Sequence, residues 1–201
     1  MLKIAVLASG NGSNLQAIID AIESGLLKAE IACVVSDKSQ AFALERARKH
    51  NLPDYCVPPK SYQDRGTHEK AICDIFEKHA VRLVVLAGYM RILTPDFIKA
   101  YHNKIVNIHP ALLPSFPGAH GIRDAYEYGA KVTGVTVHFV DEGVDSGPII
   151  AQVPVVIEEK DSMEILEAKI HTEEHKLYIR ALQLITENRI RISGRKVHIT
   201  P

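Results

Sequence analysis

The sequence has little of what would assign it to a special class. Its three cysteines, Cys33, Cys56 and Cys73, are an odd number and form no C-x-x-C pair. Neither a disulfide framework nor a thiolate metal site is indicated, and the usage fits a reducing, cytosolic compartment. Net charge is absent: 24 Lys plus Arg balance 24 Asp plus Glu. That argues against nucleic acid or a membrane surface as a partner drawn in by bulk charge. No apolar run approaches the roughly 18 residues of a membrane span, and the N-terminal apolar run is too short for a signal segment. Repeats and low-complexity tracts are missing too.

What is there is an ordinary chain of 201 residues, 46% hydrophobic and 24% charged, long enough to bury a sizeable core. Residues 2–8 read as a buried strand. After the loop 9–14, Ser13 or Asn14 can cap a helix whose apolar positions Leu15, Ile18, Ile19 and Ile22 follow helical spacing. Strands are expected at 31–35, 55–57, 83–87 and 104–108, and helices at 41–50, 67–79 and 95–101. Alternating strands and helices, with strands apolar throughout, predict an α/β fold: a Rossmann-like, doubly wound, mostly parallel sheet covered on both faces. Residues 132–140 then alternate, a turn follows, and 149–157 reads as another strand; together they predict an antiparallel C-terminal extension. Asp161 or Ser162 caps a long C-terminal helix to about residue 188, with Leu166, Ile170, Leu177, Ala181 and Leu184 as its stripe. The tail, 191–199, suggests a hairpin around Ser193-Gly194. No linker interrupts the pattern, so a single domain is expected.

Open parallel sheets bind ligands beyond the carboxyl ends of their strands, which draws attention to the loops 9–14, 88–93 and 107–118. Gly10-Asn11-Gly12-Ser13-Asn14-Leu15 begins like a dinucleotide fingerprint, but Leu15 stands where the third glycine belongs. What survives is a glycine loop feeding a helix N-terminus, either a small-phosphate site or a plain tight turn. Met90, Ile92 and Leu93 after the fourth strand are either core or an apolar wall for a flat heterocycle. Asn107 and His109 are two residues apart on a strand and so point to one side; an amide donor and an imidazole there suit chemistry on a carbonyl. Asp145, in a glycine-flanked turn, is either solvated or orients His109 and stabilises its cationic form. Glu174 falls on the apolar stripe of the long helix, where a carboxylate is paired or faces a cavity, unless the helix is rotated to bring it to solvent. His171-Thr-Glu-Glu-His175 matches H-x-x-E-H, but no third ligand is identifiable and no metal is expected. His138 and His120 read as satisfied or surface histidines.

Asn107-Ile-His-Pro-Ala-Leu-Leu-Pro, His138-Phe-Val and Asp145-Ser-Gly-Pro-Ile-Ile together resemble the formyltransferase superfamily that uses 10-formyltetrahydrofolate. Ser9-Gly-Asn-Gly-Ser-Asn-Leu-Gln-Ala-Ile, Phe42-x-Leu-Glu-Arg-Ala and Gly88-Tyr-Met-Arg-Ile-Leu are similar to the branch whose acceptor is the amine of glycinamide ribonucleotide, in purine biosynthesis. The resemblance implies that Asn107, His109 and Asp145 are catalytic. It places the ribonucleotide phosphate on Gly12, Ser13 and Asn14, and its ribose hydroxyls on Glu174. Folate would lie against Met90, Arg91, Ile92 and Leu93, with Val140, Asp141, Glu142, Gly143 and Val144 around its pteridine and Arg65 near its glutamate tail. Asn107 would also touch the formyl group. The phosphate-binding half would be about residues 1–100 and the folate and catalytic half about 101–201. Ser146 stands where many members have glycine, while Asp145 and Gly147-Pro148 keep their register.

Three other readings compete. A hydrolase of the same folate shares the triad, but its relatives usually carry an extra N-terminal domain, and this chain starts at its first strand. Methionyl-tRNA formyltransferase shares the core and adds a C-terminal nucleic-acid-binding domain, for which too little chain follows Asp145. A nucleotide-binding protein without catalysis would not need Asn107, His109 and Asp145 together. The expected partners are small molecules alone, with no nucleic acid or membrane, in a monomer or homodimer.

Overall fold

The computed structural model describes residues 1–200. The chain divides into two compact units, Met1–Val106 and the remainder from Asn107 onward.

The first unit is built on β1 (Leu2–Leu7), β2 (Ala29–Ser36), β3 (Asp54–Cys56), β4 (Leu83–Leu86) and the start of β5 (Ile105–His109), in the order β3-β2-β1-β4-β5. The pairs are parallel, with Val6 opposite both Val34 and Val85, and Val35 opposite Tyr55. Val84 N–H donates to the Lys104 carbonyl (2.8 Å) just before β5. Residues 4–7 of β1 and 83–86 of β4 are all buried, as a sheet covered on both faces demands. The covering helices are α1 (Ser13–Glu23), α2 (Phe42–Lys49), α3 (Arg65–Lys78) and α4 (Pro95–Ala100). Strand order reverses between β1 and β4, which makes the ends of these two strands a topological switch point. There the two loops meet: Ser9 N–H donates to the Gly88 carbonyl and Met90 N–H to Ser9 Oγ, both at 2.9 Å.

Two helix starts differ from expectation. Neither Ser13 nor Asn14 caps α1. The N-cap is Gly12, at φ +74 and with no side-chain bond. Its Cα packs so close to α2 that a Cβ would lie 2.8 Å from that of Ala43. The close approach and the left-handed backbone both require glycine. Helix α3 begins earlier than the apolar periodicity indicated, because Asp64 and Thr67 cap it reciprocally. With threonine rather than glutamate as the second partner, the usual capping-box signature is absent.

In the second unit the order is β5-β6-β7-β9-β8, with β6 (Val132–Phe139), β7 (Ile149–Val156), β8 (Ile190–Ser193) and β9 (Lys196–Ile199). Strands β6 and β7 are antiparallel, with Val135 opposite Val153. The hairpin β8–β9 is antiparallel, and β9 joins β7 in parallel at Ile149 and Lys196. The long helix α6 (Met163–Thr186) starts at Ser162, whose side chain accepts from Ile165 N–H. Its stripe Leu166, Ile170, Leu177, Ala181 and Leu184 is buried, each leucine or isoleucine worth about 1.5–3 kcal/mol. One further helix, α5 (Gly121–Tyr128), was not expected. Only Gly121 and Ala125 of it are buried, so it carries no apolar stripe to read. Together the units form the expected class, a mostly parallel α/β arrangement with antiparallel C-terminal strands and a C-terminal helix. Among the described residues no helix is long and apolar enough to cross a membrane.

Candidate active site

The proline loop after β5 is fastened before it reaches the site. Thr136 Oγ1, on β6, donates to the Ala111 carbonyl (2.7 Å) and accepts from Leu113 N–H (3.1 Å). Gln152, on β7, donates to the Leu113 carbonyl (2.9 Å). Fixed this way, the loop presents the Phe116 carbonyl and Gly118 N–H to two side chains that chemistry had singled out.

His109 is 3% exposed. Its Nε2–H donates to the Phe116 carbonyl (2.7 Å), and its Nδ1 lies 3.3 Å from Asp145 Oδ2. Gly118 N–H donates to the same Oδ2 (2.8 Å), and Asn107 Nδ2 donates to Oδ1 (3.4 Å). Asn107, His109 and Asp145 therefore form one cluster, and of the two readings of Asp145 the one beside His109 holds. Asp145 sits in the left-handed region, at φ +50. Burial works to raise its carboxyl, but the His138 ring, the Gly118 N–H and the His109 ring outweigh burial and hold it below its ordinary range. Glycine at the start of α5 makes room for the imidazole: a Cβ on Gly121 would lie 3.1 Å from His109 Nε2.

The sequence reading named His138 as able to reach this rim but gave it no role; the structure makes it a buried, hydrogen-bonded member of the cluster. Its Nδ1–H donates to the Phe139 carbonyl (2.9 Å), and Nε2 faces Asn107 Nδ2 at 3.3 Å and Asp145 Oδ1 at 3.6 Å. The signal was its place in an alternating strand, on the side opposite Val137 and Phe139; only the pairing of β6 shows that this side meets Asp145. His120 is exposed and takes no part. The turn carrying Asp145 is held by Asp141, whose Oδ1 accepts from Gly143 N–H (3.2 Å) and Ser146 Oγ (2.5 Å). Arg195, in the terminal hairpin, donates to the Ser146 carbonyl (2.7 Å). Serine at 146 thus adds a bond to this turn. Glu142, Gly143 and Val144 are exposed; Val140 and Asp141 are half-buried.

Glu174 is 5% exposed, which decides between its two readings: it is paired, with His171 Nδ1 2.6 Å from its Oε2. The bond to Glu174 raises the His171 pKa against the effect of its own burial. Burial lowers that of His175, whose Nε2 is buried without a hydrogen-bond partner. Among the described residues no three His, Cys, Asp or Glu are grouped to hold a metal ion.

In the first unit, α1 starts at Ser13, and the first turn of any helix leaves N–H groups without intrahelical acceptors. Asn14 is buried, and its Oδ1 has no partner among the described residues. Met90 and Ile92 are 63% and 67% exposed, whereas Leu93 is buried. Leu93 is therefore core, while Met90 and Ile92 present apolar surface to the outside. Arg65 donates to the Ile92 carbonyl, so its guanidinium lies beside that segment.

A strand-end amide, a buried imidazole and an ionised carboxylate make a site for charge developing on a carbonyl oxygen. Comparison with known proteins identifies the family. The formyl transferase family model matches residues 2–182. The chain belongs to the formyl transferase family. It is therefore an enzyme of formyl transfer. It is 47% identical over 178 residues to phosphoribosylglycinamide formyltransferase of Bacillus subtilis, covering 89% of this chain and 91% of that one. The crystal structure of glycinamide ribonucleotide transformylase 1 from Symbiobacterium toebii superposes with a TM-score of 0.97 at 44% identity, over 100% of this chain and 95% of that one. A formyltetrahydrofolate deformylase from Pseudomonas syringae pv. tomato shares the fold at TM-score 0.93, but at 30% identity and with 66% of its length covered.

Proposed function

We propose that this formyltransferase moves the formyl group of 10-formyltetrahydrofolate to the amine of glycinamide ribonucleotide, in the cytosol and without a metal. The observation that carries the reading is the cluster of Asn107, His109 and Asp145 about one strand end. The amine attacks the formyl carbon, and negative charge grows on the formyl oxygen of a tetrahedral intermediate. Asn107 Nδ2 donates to that oxygen. His109, as an imidazolium, gives up its bond to the Phe116 carbonyl and donates Nε2–H to the same oxygen, a stronger acceptor than a neutral carbonyl. Asp145 keeps the ring oriented through Nδ1 and, directly or through water, takes the amine proton on its way to the departing N10. One such oxyanion donor is worth about 3–4 kcal/mol, and holding amine and formyl group together supplies much of the rest.

The acceptor is assigned by two features. The glycine loop Gly12, Ser13 and Asn14 offers N–H groups at a helix start to a phosphate, and Glu174 offers a carboxylate to ribose hydroxyls. Folate is assigned to exposed Met90 and Ile92 with Arg91 and Leu93, to Arg65, to the loop 140–144, and to Asn107 at the formyl group. The test is the release of tetrahydrofolate from 10-formyltetrahydrofolate, followed by absorbance with and without glycinamide ribonucleotide. Release that requires the amine is expected. Equal release in its absence assigns water as acceptor and replaces this reading by hydrolysis.

A further inference from the structure

The glycine loop feeds α1, whose N-cap makes no side-chain cap bond. The neighbouring helix α2 fastens it, chiefly through one side chain. Arg46, on α2, donates Nε–H to the Asn11 carbonyl (2.9 Å) and Nη2–H to Asn11 Oδ1 (3.1 Å). Its Nη1–H donates to Gln16 Oε1 (3.0 Å), on the first turns of α1. One planar guanidinium thus grips both oxygens of a loop residue and the helix that the loop feeds. The plane is itself fixed, since its carbon lies 4.7 Å over the Phe42 ring. Gln16 is held in turn, with Nε2 2.8 Å from Asp20 Oδ1 and 3.1 Å from His50 Nε2; the other nitrogen of that ring meets Glu23 Oε1 at 2.7 Å. Behind the loop, Ala43 N–H donates to the Gly10 carbonyl (3.1 Å).

We infer that Arg46 is a positioning residue for phosphate recognition, setting the glycine loop so that its donors face the acceptor's phosphate. This rests on the reading of Gly12, Ser13 and Asn14 as the phosphate site. The chemistry is specific to a guanidinium. Its fork supplies three donors in one plane, whereas an ammonium is a point charge on a flexible stem. With Asn11 Oδ1 bound to Arg46, the NH2 end of that amide is left as a further donor at the loop. Arg46 also places a positive charge beside the loop, and its bonds there are to oxygens of Asn11 and Gln16.

The test compares two acceptors, glycinamide ribonucleotide and the ribonucleoside that lacks its phosphate. Arg46→Ala is expected to raise KM for the ribonucleotide about tenfold with kcat within about twofold, the loss of about 1.4 kcal/mol of binding. The same variant is expected to leave kcat/KM for the ribonucleoside unchanged. Arg46→Lys is expected to stay within about twofold of Arg46→Ala, since it restores charge but not the fork. Equal losses with both acceptors, or full recovery by lysine, overturn the inference: the first makes Arg46 a general structural residue, the second a mere charge. Ser13→Ala, run in parallel, separates the two levels. If Ser13→Ala discriminates between the acceptors and Arg46→Ala does not, only the role of Arg46 fails. If neither discriminates, the phosphate assignment itself fails. Amide hydrogen exchange at residues 10–13, expected to be faster in Arg46→Ala, reads the loop independently of turnover.

Discussion

Asp145 is the residue on which the site converges. Its two carboxylate oxygens meet three side chains and a backbone N–H, so removing its charge changes the surroundings of His109, His138 and Asn107 together. Asp145→Asn keeps the shape but loses the carboxylate that orients His109 and accepts a proton in the proposed mechanism. Its kcat is expected to fall about 10²–10⁴-fold, the range of general acid–base contributions, with KM for both substrates within about threefold. A rate near the parent's in a steady-state assay would remove Asp145 from the mechanism. The same carboxyl sets an acid limit on stability. Its folded pKa lies below the ordinary 3.8, so its contribution is complete above 3.8 and lost as pH falls through the folded value. Urea unfolding should therefore show parent and Asp145→Asn running parallel above about pH 5 and converging only below 3.8.

At the scale of elements, two local devices make predictions. The start of α1 needs glycine at 12 twice over, for φ +74 and for contact with Ala43. Gly12→Ala is expected to cost about 2–4 kcal/mol, read from the urea midpoint at constant m, the sum of left-handed backbone strain and overpacking. An unchanged midpoint would mean that α2 simply moves aside. On α6, His171 and Glu174 are one turn apart and joined at 2.6 Å. The His171 pKa is raised above 6.5. Whatever this pair contributes is thus complete below 6.5 and lost as pH rises through the raised value. An NMR titration should find the His171 ring titrating above 6.5 in the parent and returning toward 6.5 in Glu174→Gln. The exposure of His171 keeps the energy of the pair small, because solvent screens it.

For the whole molecule, the balance of 24 basic and 24 acidic residues leaves no net charge to steer an anion from a distance. Recognition of a phosphate then depends on contacts made within a few ångströms. The specificity constant for glycinamide ribonucleotide is expected to fall less than about threefold between 0.05 and 0.5 M salt, since short contacts are screened little. A fall of about tenfold or more across that range would point to a charged patch acting at a distance.

The sequence by itself determined most of the elements and the spacing of the polar side chains they carry. Apolar strands alternating with amphipathic helices can be buried only as a covered parallel sheet, and the period-2 spacing of Asn107 and His109 puts both on one side of β5. Local signals do not measure distance through space, so the rest waited for tertiary structure. The Gly12 cap is set by contact with α2, which no residue of α1 announces. His138 reaches Asp145 because β6 lies where it does, and its own segment reads the same whether that face meets solvent or a carboxylate. The bond from His109 Nε2 to the Phe116 carbonyl was not foreseen, because it comes from the proline loop through a turn that no periodicity describes. Whether Glu174 was paired or solvated turned on a fraction of a helical turn, less than hydrophobic spacing resolves, and packing on β6 and β7 decided it.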